Sequence, residues 1–198
     1  MLVTHIILTL LWIVYCMLHS LLASIRLKKK LEQTLKTGYK YYRLFYTIFA
    51  FLFLVGLLYF QVSISTTELY KVTVFIRVTG SAIALSGLTL MLVCIKKYFI
   101  GLSGLLSLIQ EKNSSSLLIT GVHKYVRHPL YLGTFAFIWG AVLVLPYLSL
   151  LIANCIITGY TLVGIKLEED KLIAEFGESY KTYQRSVPKL IPFLKPQQ

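Results

Sequence analysis

Residues 125–133 read YVRHPLYLG and residues 166–176 read KLEEDKLIAEF. The first stretch sets a guanidinium (Arg127) and an imidazole (His128) directly before Pro129 and Tyr131, and the second supplies the carboxylates Glu168, Glu169 and Asp170. A fixed cation, a titratable ring and neighbouring carboxylates can hold a charged ligand or tie two helices together. Leu172, Phe176, Tyr180 and Tyr183 recur at helical spacing, the mark of a helix with one packed face. One turn back, that stripe lands on Glu168; Glu169 flanks the packed side and Asp170 points more nearly away, so at least one carboxylate faces inward. An acid there is expensive unless a cation or hydrogen-bond donors meet it. Two readings stay open: a carboxylate paired with Lys124 or Arg127 or simply solvated, and a ligand-binding carboxylate. Arg127 can equally be a membrane-surface anchor and His128 a bystander at a helix start.

These residues need elements to position them, and composition says which kind. Of 198 residues, 57% are hydrophobic and 14% charged, with a mean hydropathy of +0.72, outside the range of soluble domains. The chain reads as an all-α, polytopic membrane protein. A hydrocarbon core of about 30 Å takes roughly 20 apolar residues per helix, and five spans are expected at 2–24, 44–62, 72–95, 129–145 and 147–165. Pro146 divides the last apolar run into a tight helical hairpin. Pro129 suits a first helical position, where its missing N–H has no partner to lose.

Lysines and arginines set the orientation, because basic loops stay in the cytoplasm. Arg26, Lys28, Lys29, Lys30, Lys36, Lys40 and Arg43 lie between the first two spans, against Glu68 and Lys71 between the second and third. The expectation is an outside N-terminus, cytoplasmic segments 25–43, 96–128 and 166–198, and one membrane-embedded domain over 1–198. The net charge of +12 then reflects topology and attraction to a lipid bilayer, not nucleic acid. The first span lacks a basic stretch ahead of it and is followed by RLKKK, so it reads as retained. Cys16, Cys94 and Cys155 all fall within spans without metal-finger spacing, and neither a metal site nor disulfides are expected. Residues 99–116 are apolar but too short to cross and read as an interfacial helix over a pocket. His5 and Arg77 lie near outer span ends, where such side chains snorkel; His19 sits deeper.

The segment GVHKYVRHPLYLG, followed by EEDKLIAEFGESYKTYQRSVPKLIPFL, resembles the isoprenylcysteine carboxyl methyltransferase family of integral membrane methyltransferases. That pattern is Gly-x-Tyr, Arg-His-Pro-x-Tyr, a helical hairpin, a Glu-rich helix, Phe-Gly-x-x-Tyr-x-x-Tyr and a Val-Pro ending. HSLLAS and YYRLFY nearer the N-terminus are similar to bacterial members described as methanethiol S-methyltransferases or denitrification-associated membrane proteins.

The resemblance implies a cytoplasmic pocket for S-adenosylmethionine, lined by Leu117, Leu118, His123, His128, Pro129, Leu130 and Tyr131 with Glu168 opposite. The cofactor's sulfonium and ammonium would give a carboxylate its cation, and Tyr131 and His128 would offer an aromatic surface and hydrogen bonds. His123 stands where the pattern often has tyrosine. Gly164 stands four before Glu168, where eukaryotic members carry an arginine for the substrate carboxylate; the nearest base is Lys166, which lacks arginine's planar fork. The implied activity is methyl transfer to a small thiol or lipophilic acceptor, in a bacterial inner membrane, with no catalytic base assigned. A structural or transport-related protein on the same scaffold and a phospholipid N-methyltransferase are the alternatives.

Overall fold

The computed structural model describes residues 1–103, 117 and 119–194. Among them the regular structure is helical, apart from an isolated antiparallel bridge between Glu68 and Tyr147. In chain order the α-helices are α1 (Leu2–Ala23), α2 (Ile25–Leu35), α3 (Tyr42–Ser63), α4 (Val74–Ser103), α5 (Pro129–Val144), α6 (Leu148–Phe176) and α7 (Glu178–Ser186). Four of them, α1, α3, α4 and α6, are long and apolar enough to cross a membrane. The expected fourth span is the short one: α5 has 16 residues, about 24 Å at helical rise against a hydrocarbon core of about 30 Å.

Two boundaries differ from the sequence reading. The expected last span and the first part of the charged tail form one helix, α6, which carries its apolar run over 148–165 and projects its final turns, 166–176, as a polar extension. The aromatic stripe is also broken: Gly177, at φ +54°, ends α6 and redirects the chain into α7. A positive φ is cheap only for glycine.

The chain forms two compact units. The first holds Met1–Lys71 and Pro146–Ile157. Its core is Leu8 and Trp12 from α1, Leu57 from α3 and Ala153 from α6. Trp12 Nε1 donates to Gln61 Oε1 at 2.8 Å, satisfying two polar groups in an apolar core. His5, expected to snorkel, is instead buried. Its Nδ1 lies 2.7 Å from the Met1 carbonyl and its Nε2 lies 3.1 Å from Thr66 Oγ1. A carbonyl only accepts, so Nδ1 carries the proton, Nε2 accepts from Thr66, and Thr66 in turn accepts from the Ser149 N–H. Arg77, by contrast, is exposed.

The second unit holds Val72–Lys97 and, among the described residues, those from 117 to 145 and from 158 to 194. Glycines let α4 and α5 touch backbone to backbone: a Cβ on Gly87 would sit 2.4 Å from the Phe137 nitrogen, and one on Gly140 would sit 2.5 Å from the Ala84 nitrogen. In lipid such close packing replaces the hydrophobic drive that water supplies to soluble helices. It also fixes α5, whose first residue follows the Arg-His pair.

Candidate functional site

The site is a corner where the chain turns into α5. A short 3₁₀ turn, Gly121–Lys124, leads to the buried Val126, and His128 occupies the position before the helix. Pro129 fills the first helical place and is fully buried, and the His128 carbonyl accepts the Leu132 N–H at 3.0 Å. The backbone N–H groups of Arg127 and His128 donate to the carbonyls of Pro188 and Lys189 at 2.9 and 3.1 Å. Arg127 Nη1 also reaches the Gln184 and Val187 carbonyls at 2.9 and 2.6 Å. These acceptors stand at and just past the end of α7, where a cation complements the helix dipole.

Glu169 is the buried carboxylate. Its Oε1 accepts from Arg127 Nε at 2.8 Å, His128 Nε2 at 3.2 Å and the Tyr180 hydroxyl at 3.5 Å, while Lys189 Nζ lies 3.4 Å from Oε2. Glu169 lies on the polar extension of α6. Burial alone would raise its pKa, but the hydrogen bonds from His128 and Arg127 and the charges of Arg127 and Lys189 outweigh that and hold it at about 2. Tyr180 is held above its ordinary value by burial and by the Glu169 charge.

A carboxylate so paired only accepts, so His128 Nε2 carries a proton. The other ring nitrogen faces Glu168: Nδ1 to Glu168 Oε2 is 3.8 Å, too far for a hydrogen bond. The Glu168 side chain is 47% exposed, against 8% for Glu169. Tyr131, in the first turn of α5, stacks on the His128 ring at 5.6 Å and 24° and lies beside the Glu168 carboxylate. The corner therefore offers an accessible carboxylate beside the half-buried Tyr131, whose ring lies on the buried His128 imidazole, backed by a neutralised Arg127–Glu169 pair.

Of the residues expected to line a pocket, His128, Tyr131 and Glu168 are brought together, and Pro129 is buried beneath them. Leu130 is half-buried in the first turn of α5. Leu117 packs with Leu172, Ile173 and Phe176 against Tyr180, Tyr183 and Val187. Leu118, and the expected lid over 99–116 from residue 104 on, lie outside the described residues. His123 braces the corner from behind, with Nδ1 3.1 Å from the Arg127 carbonyl and its own carbonyl accepting the Tyr183 hydroxyl at 2.6 Å. Sequence reasoning did not assign Arg127, Glu169, Tyr180 and Lys189 to the site. The first two were legible as a possible ion pair, but Lys189 carried no local signal.

A family model described as "Protein of unknown function (DUF1295)" matches residues 6–187. Among curated proteins, methanethiol S-methyltransferase of Crocosphaera subtropica is 45% identical over 74 residues, covering 36% of this chain and 28% of that protein. Methanethiol S-methyltransferase 2 of Bradyrhizobium diazoefficiens is 43% identical over 74 residues, covering 37% and 27%. Protein-S-isoprenylcysteine O-methyltransferase of Schizosaccharomyces pombe is 35% identical over 86 residues, covering 42% and 36%. The chain thus spans about a quarter to a third of the length of these relatives. No solved structure matches it.

Proposed function

This chain belongs to the DUF1295 family, and we propose that it is an integral membrane methyltransferase that uses S-adenosylmethionine, with a small thiol or lipophilic molecule as acceptor. The observation that carries the proposal is the different fate of two adjacent carboxylates. Glu169 is neutralised by Arg127, His128 and Lys189, while Glu168 stands accessible beside the His128–Tyr131 stack. The names of the relatives, methanethiol and isoprenylcysteine methyltransferases, support the same class.

The residues present suit the cofactor. Glu168 balances a sulfonium or ammonium charge, and Tyr131, seated on the buried His128 ring, gives an adenine or a cation a flat face. When bound, S-adenosylmethionine supplies an activated methyl carbon for in-line transfer, which asks the protein chiefly for alignment and exclusion of water. Arg127 and Glu169 hold His128 in one orientation, and Pro129 sets the turn that presents it. Pocket roles for Leu117, Leu118, His123 and Leu130 belong to this same proposal, with His123 and Leu117 acting as supports.

Arg127 and Lys189 both engage Glu169, so among the described residues an acceptor carboxylate meets no unspent guanidinium at this corner. A thiol needs none: its thiolate form is the nucleophile, and the proton leaves to solvent on ionisation, with no general base assigned. The basic segments support a corner on the cytoplasmic side, where the cofactor is available, with the acceptor entering from the bilayer.

Radiolabelled methyl transfer by the protein in proteoliposomes, measured across methanethiol and longer alkyl thiols, phosphatidylethanolamine and a prenylcysteine, tests the reading. Transfer to thiols above the other acceptors is the expected result. Transfer to the lipid amine instead would assign a phospholipid N-methyltransferase, and transfer to none of them would favour the non-catalytic scaffold.

A further inference from the structure

We propose that the turn over residues 191–194, past the end of α7, is a membrane anchor: its apolar side chains, Phe193 foremost, enter the interfacial layer of the bilayer and hold Pro188 and Lys189 against the corner before α5. The inference does not depend on the methyltransferase reading.

The turn is built against local preference. The Leu194 N–H donates to the Ile191 carbonyl at 3.4 Å, with Pro192 and Phe193 at the two central places. Phe193 has φ +65°. Proline at the first central place and a positive φ at the second are the pattern of a type II turn, where glycine is the favoured second residue. A bulky side chain at positive φ is strained and persists where its surroundings hold it there. The Phe193 ring is 93% exposed, and Ile191 and Leu194 on either side of the turn are exposed as well. An apolar display of this kind marks a surface that meets a partner. Tyr125, exposed two residues before Arg127, adds an amphipathic ring of the type found at headgroup level.

The depth of the turn identifies the partner as lipid. Helices α4 and α5 run antiparallel, with Ala84 against Gly140 and Met91 against Gly133. Four residues further along each helix, Ile95 comes level with Pro129. Ile95 is the last residue but one of the apolar stretch Val74–Lys96, so the start of α5 lies at the edge of the hydrocarbon layer. The N–H groups of Arg127 and His128, directly before Pro129, donate to the Pro188 and Lys189 carbonyls, which fixes that segment at the same level. Phe193 follows Lys189 by four residues and lies in a turn, so it stays close to the headgroup layer. A water-soluble partner would have to displace lipid to cover it, whereas the bilayer is already there.

Lipid contact gives the strained turn its support, because an aromatic or aliphatic side chain at the interface leaves water without leaving the protein surface. The backbone bonds from Arg127 and His128 then pass that support to the corner before α5.

The test uses the full-length protein in liposomes with Cys155, the exposed cysteine, changed to serine and a spin label attached at Leu194→Cys. A second label at Glu178→Cys, beyond the polar extension of α6, is the water-side reference. Oxygen concentrates in lipid and a nickel chelate in water, so the ratio of their relaxation effects reads depth. The oxygen-to-nickel ratio at 194 is expected to exceed that at 178 several-fold. Adding Phe193→Asp should bring the 194 ratio down to the reference, and Phe193→Trp should preserve it. Equal ratios at 194 and 178 with Phe193 intact would overturn the proposal by placing the turn in water. Screening of the 194 label from both reagents would overturn it in favour of a protein surface, and a 194 ratio unmoved by Phe193→Asp would deny Phe193 its role as anchor.

Discussion

Arg127 Nε lies 2.8 Å from Glu169 Oε1, and both side chains are 8% exposed. A buried ion pair is weak evidence of net stability, because desolvation offsets much of the attraction, but breaking one member strands the other. Here Arg127 also satisfies the Gln184 and Val187 carbonyls, so it joins the corner before α5, the extension of α6 and the end of α7.

Arg127→Ala should therefore destabilise the protein, by less than the about 3–5 kcal/mol of an uncompensated buried charge, because His128 and Lys189 still face Glu169. Denaturation of reconstituted protein followed by tryptophan fluorescence measures this. Arg127→Lys should recover only a minor part, since an ammonium cannot span a carboxylate and two carbonyls as a planar fork does.

The depressed pKa of Glu169 gives a pH dependence of defined sign. A group whose folded pKa lies below its unfolded value contributes stability that is fully present above the unfolded value and is lost as pH falls through the folded one. With an ordinary value of 4.5 and a folded value of about 2, this contribution should hold at neutral pH and disappear between those limits. Glu169→Gln should be less stable than the native protein at pH 7 and show a flatter profile below pH 4.5.

The glycines of the second unit separate into two kinds. Gly140→Ala forces a Cβ to within 2.5 Å of the Ala84 backbone nitrogen and should cost about 1–3 kcal/mol through overpacking. Gly159→Ala on α6 meets nothing within 4 Å and should stabilise by up to about 1 kcal/mol, the helix-propensity difference. Parallel thermal denaturation of the two variants in one detergent checks both signs.

Much of this arrangement was legible in the sequence, for identifiable reasons. Unbroken apolar runs located the spans, and Pro129 marked the start of α5 because proline is tolerated at a first helical position. His128, Tyr131 and Glu168 were placed together by the resemblance of their motifs, and the structure sets them side by side. The burial of Glu169 was not legible: the stripe lands on Glu168 with Glu169 beside it, adjacent helical positions differ by about 100°, and partners from distant segments bury Glu169 and leave Glu168 47% exposed. The clamp on residues 184–189 was hidden for another reason, since carbonyl acceptors leave no side-chain signature. His5 shows the same limit, because a histidine near a span end reads as exposed until Thr66, remote in sequence, is seen to meet it.

The central claim is that Glu168, and not its buried neighbour, serves a cationic cofactor. Calorimetric titration of S-adenosylmethionine and S-adenosylhomocysteine into the protein in lipid nanodiscs, with Glu168→Gln as the comparison, tests it most directly. The account predicts saturable binding to the native protein that is lost in a variant with unchanged thermal stability. No binding to well-folded native protein, or equal binding by Glu168→Gln, would contradict it.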